Sequence, residues 1–146
     1  MSIARIIEDR QQDIISCTAR DSVRHAAALL AEKRIGAMPV MDGNRVAGIF
    51  SERDLLYCVA KEGGAALDRA VGEVMTAPAI TIDPRQDALQ AMTLMTRRRI
   101  RHLPVVEGAG EGARLLAFVS IGDLVKHRIE QIEAEAELMR EYITSA

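Results

Sequence analysis

Part of this chain is written twice. Ile35–Gly36–Ala37–Met38–Pro39–Val40 returns as Ile100–Arg101–His102–Leu103–Pro104–Val105, 65 residues on. Gly48–Ile49–Phe50–Ser51–Glu52–Arg53–Asp54–Leu55 returns as Ala117–Phe118–Val119–Ser120–Ile121–Gly122–Asp123–Leu124, 69 residues on. The four additional residues fall in one hairpin turn, where a loop tolerates insertion. Repetition in order and spacing means one structural unit used twice. It predicts two equivalent surfaces related by a pseudo-twofold axis. With 146 residues in all, each half is too small to bury much core alone, so the halves are expected to pack as one domain.

Within each unit the order reads strand, helix, strand, strand, helix. Val23, Ala26, Ala27 and Leu30 lie on one helical face, and Ala88, Ala91, Met92 and Met95 repeat it. Asp21 or Ser22 is the expected N-cap of the first helix and Asp87 of the second. Lys33–Arg34 and Arg97–Arg98–Arg99 place cations at the negative ends of the helix dipoles. Ala37–Met41 and Arg45–Phe50 flank the turn Asp42–Gly43–Asn44, a hairpin pattern. His102–Val106 and Arg114–Val119 flank the longer, glycine-rich Glu107–Ala113. Pro39 and Pro104 cannot donate to a ladder, which predicts edge strands or strand starts. Short strands are expected at Ile14–Thr18 and Ala79–Ile82, a linker at Lys61–Ala66 and a helical turn at Val71–Met75. The resulting division is a helical N-terminal segment (1–13), a first repeat (14–62), a linker with a short helix (63–78), a second repeat (79–128) and the distal half of a C-terminal helix (129–146).

That last helix departs from the repeat. It is expected from about Ser120 to Ile143, or roughly 36 Å. Ile121, Val125, Ile129, Ile132, Ala136, Met139 and Ile143 are spaced by fours and threes, a heptad-like stripe. The distal half needs cover, from the N-terminal Ile3–Ile7 or from a second copy of the chain. A unit this small has little spare surface, which favours the homodimer.

Composition sets the class. Apolar residues make up 49% and charged residues 27%, as in a globular protein. Aromatics are only 3%, so the core must be aliphatic. A net charge of −2 gives no broad attraction to nucleic acid or an anionic membrane. No apolar run approaches a membrane span, and Arg5, Glu8, Asp9 and Arg10 stand where a signal peptide would be apolar; a cytoplasmic location is expected. Cys17 and Cys58 lack CxxC spacing and read as buried thiols, with a redox role the lesser alternative. His25, His102 and His127 have no metal-ligand spacing, and no nucleophile elbow or phosphate-binding glycine loop occurs, so no enzyme is expected. His25 and His127 are expected to face solvent.

Ser51-x-x-Asp54 and Ser120-x-x-Asp123 each follow an apolar strand and open a helix. Such a pair forms a capping box. A helix N-terminus also offers free N–H groups and a positive dipole end, and an Asp there can accept from both hydroxyls of a ribose. The two roles are compatible, and occurrence at matched places of a repeat raises the ligand reading.

Taken together, Arg34–Val40, Val46–Leu55 and Val71–Thr76, with Arg99–Val106 and Phe118–Leu124 in the second unit, resemble a tandem pair of CBS domains, a Bateman module, over roughly residues 14–130. The resemblance implies an α/β fold of two β-α-β-β-α repeats packed through their sheets, with two symmetry-related clefts. Pairs of such modules commonly form flat, disc-like dimers. It also implies an adenosine-type ligand, with AMP or ATP foremost and ADP, S-adenosylmethionine or NAD as alternatives. By this resemblance one cleft uses Ser51, Arg53, Asp54, Ala79, Ile80, Ile100 and Arg101, and the other Ile14, Ile15, Ile35, Gly36, His102, Ser120 and Asp123. Each Asp takes the ribose, while backbone and apolar side chains of the opposite repeat hold the adenine.

Two points stay open on the residues alone. His102 either meets a phosphate in the Asp123 cleft or is an ordinary strand histidine. Arg97–Arg101 lacks the interleaved aromatics of a nucleic-acid surface and reads as a solvated helix end or phosphate rim. The expected function is a regulatory adenosine-nucleotide sensor acting as a homodimer; whether it has an effector protein is left open, since the sequence does not show what it regulates. The alternative is a structural module whose Ser-x-x-Asp pairs only cap helices.

Overall fold

The computed structural model describes residues 1–8 and 13–145. Asp9 and Arg10, two of the N-terminal charges, lie outside the described residues. Along the chain run α1 (Ile3–Ile7), β1 (Cys17–Thr18), α2 (Val23–Lys33), β2 (Ala37–Asp42), β3 (Arg45–Ser51), α3 (Glu52–Glu62), α4 (Val71–Val74), α5 (Ala88–Arg98), β4 (His102–Glu107), β5 (Arg114–Ser120) and α6 (Ile121–Thr144). Short 3-10 turns occupy Gly63–Asp68 and Gly110–Gly112.

The two hairpins carry the repeat in their register. Ala37 pairs with Ser51 and His102 with Ser120, and both ladders slip at the same place, between Val40 and Met41 and between Val105 and Val106. Each helix preceding a hairpin ends on an arginine in the left-handed region, Arg34 at φ 53° and Arg99 at φ 55°. That residue turns the chain sharply from helix into strand. It brings Ile35–Gly36 and Ile100–Arg101 out at corresponding places. Ser22, rather than Asp21, caps α2, accepting from the His25 N–H at 3.0 Å. Asp87 caps α5 as expected.

Each half has its own core. Val23, Leu30, Met38, Val40, Phe50 and Val71 fill the first, and Ile82, Met95, Leu103, Val105, Val119 and Leu124 the second. The sheets are β1-β2-β3 and β4-β5, and β3 meets β5 where the halves face each other. The linker is part of the packing: Ala66 and Val71 are fully buried in the first core. The N-terminal segment docks on the second half, with Ile3 buried in that core. It therefore does not cover the distal half of α6.

Three expectations are corrected. The strand expected at Ile14–Thr18 is only Cys17–Thr18, and that at Ala79–Ile82 is a single parallel bridge from Ile82 to Val105. Pro39 lies within β2, the central strand of its sheet, rather than in an edge strand. The corresponding bonds around Pro104 give the reason. The Ile82 N–H donates to the Pro104 carbonyl and the Val106 N–H to Ile82. N and O of one strand residue point the same way, so the Pro104 nitrogen faces the shortened first strand, where few ladder bonds form. His127 is half-buried rather than solvent-facing, and its Nε2 is buried without a hydrogen-bond partner among the described residues.

Cys17 and Cys58 are both free and buried. Burial pushes the Cys17 thiol up from the ordinary 9 to about 12, and the charge of Asp21 adds to the effect. Thiolate is the reactive form, so this weighs against a redox role for Cys17. Between those two pH values the unfolded chain releases a proton that the folded chain keeps. Stability is therefore whole below pH 9 and should fall by about 1 kcal/mol between pH 9 and 10. Urea unfolding at both pH values, with and without Cys17→Ala, checks this; an equal loss in the variant would assign the effect to another group.

Candidate functional site

Ser51 and Asp54 open α3, and Ser120 and Asp123 open α6. Both pairs form capping boxes. The Ser51 N–H donates to Asp54 Oδ2 at 2.9 Å, and the Asp54 N–H donates to Ser51 Oγ at 3.3 Å. In the second half the matching distances are 2.8 and 3.1 Å. The expected motif therefore does its local work in both halves, and each carboxylate is fixed at a helix N-terminus.

The Asp54 carboxylate has further partners. The Ser51 hydroxyl donates to Oδ2 and the Thr76 hydroxyl to Oδ1, both at 2.9 Å. Thr76 comes from the linker, which lies against β3: the Ile49 N–H donates to the Thr76 carbonyl and the Thr76 N–H to that of Ile49, each at 2.9 Å. The linker comes so close because Gly48 has no side chain. A Cβ there would stand 2.7 Å from the Thr76 carbonyl oxygen and 2.8 Å from the Met75 sulfur. An ionised carboxylate offers about four acceptor places, so these donors do not exhaust Asp54.

Asp54 faces a cleft of about 170 Å³ that gathers all seven residues expected there: Ser51, Arg53 and Asp54 on one side, Ala79, Ile80, Ile100 and Arg101 on the other. The walls belong to different halves and are joined across the cleft. Arg53 donates to the carbonyl of Arg99 at 3.1 Å, and Arg101 pairs with Glu52 at 2.9 Å. Both members of the latter pair are well exposed, so the bridge adds at most about 1 kcal/mol of stability. Its effect is to shape the cleft.

The second crevice is wider, about 640 Å³, and likewise gathers its seven expected residues: Ile14, Ile15, Ile35, Gly36, His102, Ser120 and Asp123. Arg34 and Lys126 line it as cations. The positions of Glu52 and Arg53 are held here by Ile121 and Gly122, so the charged links across the first cleft have no counterpart. The clefts share a frame and differ in charge.

His102 borders both. Its ring stacks on Phe118, with centroids 5.5 Å apart and planes inclined by 10°. Burial holds its pKa below the ordinary 6.5, the Arg101 charge lowers it further, and Asp123 and Glu52 oppose the shift. A neutral, stacked imidazole at pH 7 is a packing group, which favours the strand-histidine alternative at that pH. The depressed pKa means the unfolded state takes up a proton first as the pH falls. The stability that His102 contributes is thus whole above pH 6.5 and lost below it. His102→Phe keeps the stack and should flatten this acid limb in unfolding titrations; an unchanged limb would exclude His102 as its source.

Thr76, Glu52 and Tyr57 also line the first cleft and are not singled out by the sequence; Arg99, from the run read as a helix end or phosphate rim, lines it too. Thr76 closes a quoted motif, but nothing in its spacing tells that its hydroxyl reaches Asp54, 22 residues back. Among the described residues no group of His, Cys, Asp and Glu side chains is arranged to hold a metal, and no helix is long and apolar enough to cross a membrane.

Comparison with known proteins gives one consistent result. The family model of the CBS domain matches residues 7–61 and 71–130. A protein with CBS domains from Burkholderia ambifaria MC40-6 is 38% identical in sequence, with a TM-score of 0.80 over 89% of this chain and 95% of that one. The structure of CBSX2 in complex with AMP is 26% identical, with a TM-score of 0.75 over 90% of this chain and 98% of that one. The mitochondrial CBS domain-containing protein CBSX3 of Arabidopsis thaliana is 34% identical over 87% of this chain. The chain spans 62% of that curated relative's length, and 22% of an inosine-5'-monophosphate dehydrogenase from Korarchaeum cryptofilum that it also matches.

Proposed function

Since the chain belongs to the CBS-domain family, we propose that it is a regulatory module that binds an adenosine-containing ligand in its two clefts and works as a homodimer. It binds its ligand without transforming it. The observation that carries this reading is the position of Asp54: a carboxylate oriented by Ser51 and Thr76, opposite an apolar wall from the other half of the molecule. A ribose diol donates to the carboxylate, and adenine lies against Ala79–Ile80 and Ile100–Arg101. Adenine suits a flat apolar slot with a few backbone partners, the polar groups setting its orientation. The AMP complex of CBSX2 supports the choice of ligand class. AMP and ATP come first, with ADP, S-adenosylmethionine and NAD as the other members of the panel.

Regulation follows from the two-sided cleft. A ligand held by both halves favours arrangements in which they are correctly apposed, and so shifts the population toward them. A ligand of equal affinity for all arrangements would transmit nothing. Both Ser-Asp pairs cap helices, which keeps the purely structural reading in contention. Thermal unfolding across the nucleotide panel separates the two. A true ligand at 100 times its dissociation constant should add about 2.7 kcal/mol of stability. No stabilisation by any panel member would favour the structural module.

A further inference from the structure

The distal part of α6 stands clear of the body. Every residue from Ile132 to Ser145 is exposed, a projection of about 21 Å. A helix of that length is marginal alone in water. Its apolar stripe is exposed too: Ile129 by 50%, Ile132 by 49%, Met139 by 62% and Ile143 by 68%. The in-chain candidate for covering it, α1, is already used, since Ile3 is buried in the second core with Ile6 and Ile7 packed against it.

The charges beside the stripe identify the occupant. With Val125, Ile132 and Met139 as d positions and Ile129, Ala136 and Ile143 as a positions, the flanking g positions hold Arg128 and Glu135, and the e positions Glu133 and Arg140. In a parallel, in-register pair each g residue meets the e residue five further along in the other helix. That sets Arg128 opposite Glu133 and Glu135 opposite Arg140, each twice by symmetry. In an antiparallel pair centred on the same stripe, Glu133 would meet Glu133, Glu135 would meet Glu135, and Lys126 would meet Arg140. Among the described residues none of Arg128, Glu133, Glu135 and Arg140 has an ion-pair partner within the chain.

We infer that α6, from Val125 to Ile143, pairs with its counterpart in a second copy of this chain as a parallel two-stranded coiled coil. This rests on the homodimer proposed above and names the surface that forms it. Two bodies would then lie on the same side of the coil, joined by the helix whose first turn carries Asp123. Bending or shifting that turn in one body would be felt directly at the coil.

The test is sedimentation of the full chain. The wild type should dimerise, and Ile132→Asp, at a site exposed in the single chain, should make it monomeric with its circular dichroism otherwise folded. Arg128→Glu and Glu133→Arg should each raise the dimer dissociation constant about tenfold, because exposed pairs worth up to about 1 kcal/mol are replaced by repulsion at two symmetric places. Together they should restore it. These residues are five apart and do not face each other within one helix, so mutual rescue reports contact between chains. A dimer indifferent to Ile132→Asp would overturn the coil and leave the homodimer standing on another surface. A monomeric wild type would overturn both and leave the nucleotide reading untouched. Failure of the double variant to recover would overturn the parallel pairing.

Discussion

Asp54→Ala should weaken adenosine-ligand binding in the first cleft by about a hundredfold. A hydrogen bond to a charged group contributes roughly 1.5–3 kcal/mol, and a ribose hydroxyl takes the acceptor place that Ser51 and Thr76 leave open on Asp54. Losing about 3 kcal/mol of that corresponds to two decades in the dissociation constant. The same substitution removes part of the α3 capping box, which costs about 1 kcal/mol of stability and lowers the unfolding temperature. The two effects are separable, since calorimetry well below the unfolding midpoint reads binding by the folded population alone. Asp123→Ala is the matched control. It breaks an equivalent capping box and should leave the first cleft's affinity within about twofold. Equal losses in both variants, or in neither, would detach the first cleft from Asp54.

The second large effect is expected at Gly48, and its sign is informative. Glycine inside a strand is poorer than alanine by about 0.5–1 kcal/mol, so backbone propensity alone makes Gly48→Ala stabilising. Packing says the reverse. The new methyl would stand 2.7 Å from the Thr76 carbonyl oxygen, and a backbone oxygen cannot swing aside as a side-chain tip can. The linker must lift from β3, straining the two hydrogen bonds between Ile49 and Thr76 and drawing the Thr76 hydroxyl away from Asp54. Overpacking of this kind costs about 1–3 kcal/mol. We expect a net loss of about 2 kcal/mol in chemical unfolding, together with a several-fold weaker first cleft. The repeat holds its own control: the counterpart of Gly48 is Ala117, which tolerates a methyl group in the second half. A stabilised Gly48→Ala protein with unaltered binding would remove the linker from the site.

Much of this molecule is legible in its sequence because the repeat states each local rule twice. The helical faces around Val23 and Ala88, the two hairpins and the Ser-Asp capping boxes depend on neighbours within a few residues, and pattern reveals such contacts. The cleft residues are legible for a different reason. Resemblance to the family names them, and the fold brings all seven of each set to one crevice. What escapes is long-range. No local rule tells that Thr76 returns to Asp54, that the linker fills the first core through Val71, or that Ile3 fills the second. The shortened first strands also escape, because Ile14–Thr18 and Ala79–Ile82 have strand-like composition. Their partners decide otherwise, since Pro39 and Pro104 present no N–H toward that side and leave little ladder to form. His102 is legible as a strand residue, but that it borders both crevices, as its counterpart Ala37 also does, follows only from how the two halves pack.

The account depends on a ligand being gripped by both halves at once. A crystal structure of the full chain grown with AMP, or with whichever panel nucleotide stabilises it most, tests this directly. The ribose hydroxyls should lie on the Asp54 carboxylate and the adenine between Ala79–Ile80 and Ile100–Arg101. A nucleotide seated outside both crevices, or contacting one half alone, would contradict it.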